Sequence, residues 1–253
     1  MISYYAILSI IKFRLREFLF EFHYTIIAPI ISNLIFVIIF STIQNYYSIT
    51  INNSSYIEFL IPGLIVMIVV QESFDNTSAS IINMKQIGSF NDFLFAPLSR
   101  IELFISFLIS SLLIGIFLGL INFAIFSYFV DFSNFSLFFF IYYLCIAIIF
   151  FACLGCAVGF LSYTWDTQST FSNFFVTPLN FLSGTFFSIN SLPESLKFLF
   201  LYNPYYYVVS YFRSSFYNSF KFSFIENFYI FILVILSLIT TGIIFLKGYK
   251  VIR

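Results

Sequence analysis

The chain has 253 residues, of which 61% are hydrophobic and 9% are charged, and its mean hydropathy is +1.01. A soluble domain carries roughly 25% charged residues, so this composition excludes a soluble globular protein. The formal net charge is zero, which gives no indication of a nucleic-acid partner. The predicted fold class is an all-α integral membrane protein that forms a single transmembrane domain over residues 1–253.

The first 23 residues are predicted to form a helix on the membrane surface. They do not read as a signal peptide, because the basic residues follow the first apolar residues. An interfacial helix has one apolar and one charged face. The apolar residues at helical spacing are Leu8, Ile11, Leu15, Phe18 and Phe22, and the charged residues off that face are Lys12, Arg16, Glu17 and Glu21. The alternative is that this segment simply extends the first membrane-spanning helix.

Six segments are predicted to span the membrane as helices. A hydrocarbon core of ~30 Å is crossed by about 20 residues at ~1.5 Å per residue. The predicted spans are residues 25–44, 57–82, 101–129, 137–161, 171–187 and 224–246. Residues Tyr163–Ser169 are predicted to link the fourth span to the fifth. Within the long segment 188–222, two short external or re-entrant helices are predicted, one starting near Glu194 and one over Tyr205–Asn218.

Basic residues determine the predicted orientation. Eight Lys and Arg residues lie at the two termini and in the loops on the same side, whereas three lie in the segment 188–222 on the opposite side. Cytoplasmic loops carry an excess of basic residues. Both termini are therefore predicted to lie in the cytoplasm. The segment 188–222 is then external, or it dips back into the outer leaflet.

The connector between the second and third spans, residues 83–100, contains clear helix boundary signals. Gly88 is suited to end one helix, and Ser89 with Asp92 resembles a capping box that starts a short one. A short rigid helix between two spans can transmit force from a partner protein, whereas the alternative is an ordinary capped loop. The remaining signals are Pro97, which ends the short helix, and the pair that caps the third span, Ser99 and Glu102.

The predicted short helix carries an apolar face formed by Phe90, Phe93 and Leu94. Apolar surface left in water costs ~25 cal/mol per Å², so a face of this kind outside the bilayer indicates a covering partner. The alternative is that the same residues lie back on the membrane interface.

Two polar stripes interrupt the apolar spans. The first consists of Gln71, Asp75 and Ser78 on the second span, and the second consists of Asn173, Thr177, Asn180 and Gly184 on the fifth. A carboxylate at the centre of a membrane helix costs roughly 2.5–3.5 kcal/mol, so such residues usually face protein or a wet cavity. The stripes therefore predict a lined pathway. The alternative for the second span is that its stripe lies in the cytoplasmic headgroup zone, where polar residues are tolerated.

Other motifs indicate helix packing rather than chemistry. Gly115-x-x-x-Gly119 and Gly155-x-x-x-Gly159 are small-residue patterns that allow close approach of helices. The thiols of Cys145, Cys153 and Cys156 lie in an apolar span without basic neighbours and are predicted to be unreactive. The sequence contains no P-loop motif, no G-x-S-x-G motif and no metal-ligating cluster. Any ATP-driven work therefore requires a separate ATPase chain.

Two regions of the sequence resemble the signature regions of type-2 ABC transporter permeases. The first contains Tyr56-x-x-Phe59-Leu-x-Pro62-Gly63-Leu, followed by Gly88 and Pro97-Leu-Ser99. The second contains Pro178-Leu-x-Phe-Leu-Ser-Gly184, then Leu-Pro193, Asn203-Pro204-x-x-Tyr207 and Arg213. The regions cover about a third of the chain in the order that the family shows, and the predicted span count agrees over the rest.

The resemblance implies a permease subunit that forms half of the translocation pathway of an ATP-driven exporter. The expected substrate is amphiphilic, either a lipid-linked glycan or a drug-like molecule. The expected partners are two copies of a separate ABC ATPase, a second permease copy (most simply a homodimer) and membrane lipids. ATP and Mg are expected on the ATPase, with no cofactor or metal on this chain. The expected location is the bacterial cytoplasmic (inner) membrane. The alternative class is an ATP-independent six-span channel or a structural membrane protein.

The resemblance also assigns roles to residues of this chain. The residues expected to couple to the ATPase are Lys85, Gly88, Ser89, Phe90, Asp92, Phe93 and Leu94. The residues expected to border the pathway are Gln71, Asp75, Asn173, Thr177 and Asn180. The residues expected in an external gate or re-entrant region are Pro193, Asn203, Pro204, Tyr207 and Arg213.

Overall fold

The computed structural model describes residues 4–47, 50–51, 54–90, 99–130, 135–189, 192–217 and 223–247. Its elements in chain order are α1 Tyr4–Phe20, a π-helical turn His23–Ile27, α2 Ala28–Tyr47, β1 Thr50–Ile51, β2 Ser54–Ser55, α3 Tyr56–Ile87, α4 Arg100–Phe126, α5 Leu137–Leu161, α6 Trp165–Phe171, a second π-helical turn Ser172–Val176, α7 Thr177–Phe181, α8 Glu194–Leu201, α9 Pro204–Ser214 and α10 Phe224–Lys247. The two-residue strands pair antiparallel, with Thr50 opposite Ser55. The predicted all-α fold class is confirmed.

Five helical segments of the described chain are long and apolar enough to cross a membrane: His23–Tyr46, α3, α4, α5 and α10. They match the first four predicted spans and the sixth. The helix α5 coincides with the predicted span 137–161, and α10 exceeds the prediction of 224–246 by one residue. The helix α3 continues to Ile87, beyond the predicted end at residue 82.

The fifth predicted span differs in position from the observed helix. The helical run starts at Trp165 and ends at Phe181, so Tyr163–Ser169 is not the loop that was predicted, and residues 182–187 are not helical. The start is explained by Thr164, whose side chain accepts a hydrogen bond from the Thr167 amide, and by an acidic residue in the first turn. At the other end Gly184 adopts a φ of 74°, which a helix does not permit. The count of six spans stays a prediction.

The helix boundary signals near the connector are confirmed where the structure describes them. Gly88 has a φ of 84° and caps the end of α3 in the left-handed conformation. Ser99 and Glu102 form the predicted capping box at the start of α4. The same device, not predicted, starts α3 with Ser55 and Glu58. Residues 91–98, including Asp92 and Pro97, lie outside the described residues.

The helix α3 forms the centre of the bundle. In its most apolar stretch 72% of residues are buried, against 11% in the first span. Its close contact with α5 is made possible by Gly155, where an added Cβ would lie 2.6 Å from the Phe74 carbonyl oxygen, and by Gly159, where it would lie 3.0 Å from that of Ser78. The Gly115 motif of α4 packs on α5 side chains instead. Both predicted glycine motifs are therefore packing surfaces.

The N-terminal segment forms the helix α1, and the face that it packs against the bundle differs from the predicted apolar stripe. The residues of α1 buried against the bundle are Ile10, Ile11, Arg14 and Phe18. Leu8 and Phe22, which were predicted on the apolar face, are exposed. The face is rotated because Arg14 turns inward to polar partners on α3. Whether α1 lies on the membrane surface stays a prediction.

Candidate functional site

Part of each polar stripe meets inside the folded chain and belongs to a single hydrogen-bonded network. Helix α3 contributes Gln71 and Asp75. The continuous helical run Trp165–Phe181 contributes Gln168, Ser172 and Asn180. We call these five residues the α3–α7 network. Its members come from positions about 100 residues apart in the sequence, so only the folded chain brings them together.

Asp75 is the acceptor at the centre of the α3–α7 network. Its carboxylate accepts hydrogen bonds from Gln71 Nε2 at 2.7 Å, Gln168 Nε2 at 2.8 Å and Ser172 Oγ at 3.1 Å. Gln71 Nε2 also donates to Ser172 Oγ at 2.8 Å, and Gln71 Oε1 accepts from Asn180 Nδ2 at 3.0 Å. These neutral donors satisfy the carboxylate without cancelling its charge. The hydrogen bonds join the two helices at several points and so restrain them relative to each other, while the buried Asn180 Oδ1 has no partner within the described chain.

A π-helical turn explains why sequence periodicity found only part of this network. Ser172 and Asn180 lie eight positions apart, whereas two turns of a regular α-helix take ~7.2 residues. The wider turn Ser172–Val176 absorbs the excess residue and places Ser172 and Asn180 on one face. The network brings together Gln71, Asp75 and Asn180, which were predicted from the sequence. It also contains Gln168 and Ser172, which were not predicted. The polar spacing of Gln168 and Ser172 was visible, but the π turn was not.

The other residues of the predicted stripes lie elsewhere. Asn173 is exposed and Thr177 is half-buried on the outer side of the helical run. Ser78 is buried and donates to the Phe74 carbonyl of its own helix at 2.8 Å. Asn180 is only 1% exposed in the single chain. A pathway role for these residues stays a prediction.

At the connector end of α3, two side chains attach this helix to its neighbours. Lys85 Nζ donates to the carbonyls of Gly159 at 2.9 Å and Ser162 at 3.1 Å, which satisfies acceptors at the end of α5. Gln86 Oε1 accepts from Trp165 Nε1 at 2.7 Å. Lys85 was expected to couple to the ATPase, but its ammonium group binds the chain's own backbone. A coupling role for Lys85 stays a prediction.

The position of Phe90 differs from the prediction that it belongs to an exposed apolar face. Its side chain is 2% exposed and packs edge-on against Phe160, with the ring centroids 5.7 Å apart. An exposed Phe90 was predicted, so that prediction is wrong; the ring is buried because α3 and α5 end side by side and leave an apolar gap that it fills. The hydroxyl of Ser89 is within 3.4 Å of the Met84 carbonyl. Phe93 and Leu94 lie outside the described residues.

The segment after Gly184 folds into the two predicted short helices, α8 and α9. Pro193 precedes α8, and Pro204 is the first residue of α9. Asn203 is buried and caps α9, because its Oδ1 accepts from the Tyr205 amide at 3.0 Å. Its Nδ2 donates to the Leu182 carbonyl at 2.9 Å, which attaches α9 to the end of the fifth helical run. Tyr207 donates to the Leu201 carbonyl at 3.0 Å.

Arg213 joins the two signature regions. Its guanidinium stacks on the Phe59 ring at 3.7 Å from the centroid. Its Nε donates to the Phe59 carbonyl and one terminal nitrogen donates to the Gly184 carbonyl, both at 3.0 Å. Gly63 lies close to Thr185, since an added Cβ would be 2.7 Å from its methyl group. The residues that carried the resemblance are thus in direct contact in the folded chain.

A bundle of long apolar helices with a buried polar network between two of them is the architecture of a polytopic membrane protein. The ABC-2 type transporter family matches residues 5–217 of this sequence. The chain is 28% identical over 211 residues to the inner membrane transport permease YadH of Escherichia coli strain K12. The aligned region covers 83% of this chain and 82% of the relative. The same figures hold for YadH of Shigella flexneri.

The chain therefore belongs to the ABC-2 type transporter family, and the resemblance seen in its sequence is confirmed. A member of this family is the membrane permease subunit of an ABC transporter. It works with an ABC ATPase that is a separate chain.

The network makes a prediction that compares a buried asparagine with an exposed one. Asn180→Leu removes the only donor to Gln71 Oε1 within the described chain, and a buried acceptor left without its partner costs about 1–3 kcal/mol. We expect a lower melting temperature in detergent and weaker transport, with ATPase binding retained. Asn45→Leu is the matched control, since Asn45 is exposed on α2 and has no assigned role. Equal melting temperatures for the two variants would show that the bridge to α3 contributes nothing.

Proposed function

We propose that two copies of this chain assemble with two copies of a separate ABC ATPase into an ATP-driven exporter of an amphiphilic substrate, a lipid-linked glycan or a drug-like molecule. ATP and Mg bind to the ATPase, and this chain holds no cofactor. The complex lies in the bacterial inner membrane with both termini of the permease in the cytoplasm. The YadH relatives are inner membrane transport permeases, which supports this location.

The observation that carries the proposal is the α3–α7 network. It ties α3 to the helical run Trp165–Phe181 at the middle of both helices, while the Gln86–Trp165 hydrogen bond ties them again near the connector. Two attachments make the pair of helices move as one unit. A push on the connector that follows Gly88 is then passed to both helices, which is what ATP-driven movement of a permease requires.

A second copy is supported by the surfaces that one chain leaves uncovered. The first span has only 11% of its most apolar stretch buried. On the outer side of the fifth helical run, Asn173, Phe174 and Phe175 are exposed side by side. A polar side chain among exposed aromatic ones is costly against lipid. A homodimer that brings two such surfaces together would cover Asn173 and complete the pathway.

Co-purification of the ATPase tests the proposal. A tagged permease expressed with its native neighbours should retain a P-loop ATPase, and inside-out vesicles containing both should take up an amphiphilic substrate only with ATP and Mg. Absence of any P-loop ATPase from the purified complex would remove the ATP-driven function. Uptake without ATP would favour a channel.

The connector is the proposed docking element for the ATPase. Because Phe90 is buried, the remaining apolar residues for docking are Phe93 and Leu94. Phe93→Asp should release the ATPase, or uncouple its activity from transport, while the permease stays folded. Tyr46→Asp is the control, because Tyr46 is an exposed aromatic residue near the last residue of α2, on the proposed external side of the membrane. Normal ATPase binding and transport by Phe93→Asp would exclude this connector as the coupling element.

The proposed orientation makes a separate prediction for thiol labelling in intact cells. In a chain whose three native cysteines are replaced by alanine, a cysteine at Asn53 should react with a membrane-impermeant reagent. A cysteine at Ser191 should react as well, and one at Ser89 should react only after the cells are opened. Labelling of the Ser89 position alone in intact cells would reverse the orientation.

A further inference from the structure

A polar cavity of about 240 Å³ lies between the end of α1, the middle of α3 and the start of α6. Its walls carry four carboxylates. Glu17 and Glu21 come from the N-terminal segment, and Glu72 and Asp75 come from α3. Tyr24 and Trp165 also line it. Of these residues only Asp75 belongs to the α3–α7 network. The network therefore does not account for the other three carboxylates in the cavity wall.

The one cation in the cavity wall is already engaged. Arg14 binds the Glu17 carboxylate at 2.5 Å and Asn76 Oδ1 at 2.6 Å, and its guanidinium lies 5.1 Å from the Phe107 ring centroid. Burial lowers the pKa of the Arg14 guanidinium, and the charge of Glu17 raises it. Arg14 therefore neutralises Glu17, and the other three carboxylates have no cation among the residues that line the cavity.

The carboxylates on α3 are the least compensated. Asp75 receives its hydrogen bonds from amide and hydroxyl groups, which carry no charge. Glu72 makes no hydrogen bond or ion pair with any residue of the described chain, and it lines the cavity beside Asp75. Partly buried negative charge at membrane depth is costly unless a cation balances it. The charge of this cavity thus fits a positively charged occupant.

An unpaired donor also lies behind the cavity wall, where protein encloses it. Arg14 is 2% exposed, and its Nε has no hydrogen-bond partner within the described chain. A buried N–H without an acceptor is uncommon in folded proteins. Because this atom has almost no accessible surface, an occupant of the cavity does not reach it. The group that an occupant can reach is Glu72, which lines the cavity without a partner in the described chain.

The surroundings of the cavity favour an amphiphile over a free cation. Tyr24 and Trp165 offer aromatic rings, which attract quaternary ammonium groups. From Tyr24 a row of exposed apolar residues continues along the first span at helical spacing: Ile27, Ile31, Ile35 and Ile38. A chain attached to a headgroup in the cavity can lie along that row.

We propose that this cavity binds the cationic headgroup of an amphiphile, with the ammonium group held by Glu72 and Asp75 and attracted at the cavity mouth by Glu21. The site rests on the proposed function in one respect, because it identifies the substrate class of the exporter as cationic amphiphiles. The binding step itself needs neither ATP nor the ATPase.

Trp165 provides a direct readout, since it is the only tryptophan in the chain and it lines the cavity. The purified full-length permease in dodecyl maltoside is titrated with decanoylcholine, which carries a quaternary ammonium, an ester oxygen and an acyl chain. Saturable change of the Trp165 fluorescence is expected. Decanesulfonate, an anion of similar chain length, should give no saturable change, and tetramethylammonium, the headgroup without a chain, should bind far more weakly.

Variants locate the binding to the carboxylates. Glu72→Gln should raise the dissociation constant for decanoylcholine at least about tenfold, as expected for loss of one partner of a close charge pair. Glu72→Asp should recover part of the affinity. If Glu72→Gln does not fold, Glu21→Gln serves as the second variant, because Glu21 is exposed at the cavity mouth. Glu194→Gln, an exposed carboxylate outside the cavity, should bind as the native chain does.

Three outcomes would overturn the proposal: equal binding of decanesulfonate, unchanged affinity in a folded Glu72→Gln or Glu21→Gln variant, or tetramethylammonium binding as tightly as decanoylcholine. The last outcome would remove the amphiphile and leave a site for small cations. If decanoylcholine gives no saturable change of the Trp165 fluorescence but the ATPase co-purifies, cationic amphiphiles are excluded as the substrate class. The proposed function as an ATP-driven exporter would then still stand. Failure of co-purification alone would leave the cavity proposal standing.

Discussion

Gly155→Ala is expected to destabilise the permease strongly, although it adds a single methyl group. The new Cβ would lie 2.6 Å from the Phe74 carbonyl oxygen and 3.2 Å from the Phe74 Cα, and backbone atoms cannot rotate away as a side chain can. Overpacking of this kind costs about 1–3 kcal/mol and occasionally more. Because α3 carries the network one residue further along, at Asp75, the displacement should also abolish transport.

The matched control for this prediction is Gly242→Ala in α10, where the nearest atom to an added Cβ is 3.9 Å away. Here the methyl group meets no obstacle, and alanine is favoured over glycine in a helix by up to about 1 kcal/mol. The melting temperature in detergent should therefore fall for Gly155→Ala and hold or rise for Gly242→Ala. A fall of the same size in both variants would mean that the close contact of α3 with α5 is not limiting.

Arg213→Leu is expected to separate the two signature regions. The change removes two charge-assisted hydrogen bonds to the Phe59 and Gly184 carbonyls, and each such bond contributes roughly 1.5–3 kcal/mol. The stacking on Phe59 is lost as well. We expect the free energy of unfolding to fall by about 3 kcal/mol, as measured by denaturation in mixed micelles.

Two further variants separate geometry from charge at this position. Arg213→Lys keeps the positive charge but lacks the planar fork that reaches two carbonyls, so it should recover only part of the loss. Lys197→Leu removes an exposed cation from α8, where it pairs with Glu194 at 2.6 Å. An exposed ion pair contributes at most about 1 kcal/mol. Complete rescue by Arg213→Lys, or equal losses in Arg213→Leu and Lys197→Leu, would contradict the bridging role.

The predictions on Gly155 and Arg213 concern the frame that holds the α3–α7 network. Gly155 allows α5 to approach α3 on one side, and Arg213 holds the start of α3 against the turn at Gly184. The network lies next to the Gly155 contact, since Phe74 stands between Gln71 and Asp75 on α3. A permease that moves α3 and the fifth helical run together needs this frame to stay rigid while the connector is pushed, which is why we expect both variants to affect transport beyond their effect on folding.

Local signals in the sequence were sufficient for most of the fold. Membrane insertion selects continuous apolar segments, so α5 and α10 were predicted almost to the residue. Helix ends depend on nearby backbone groups, and for this reason the cap at Gly88 and the capping box at Ser99 were also predictable. The two signature regions identified the family before any contact was known.

Only the tertiary structure decided which polar groups meet and which apolar groups are covered. Gln168 and Ser172 join Asp75 because a π-helical turn shifts the register of their helix, and no periodicity of a regular α-helix contains that shift. Phe90 is buried because two helices from distant parts of the sequence end side by side. Arg14 turns away from the water-facing side of α1 because α3 presents Asn76 to it. Each outcome depends on contacts between residues far apart in the sequence, whereas spans and caps depend on neighbours within a few positions.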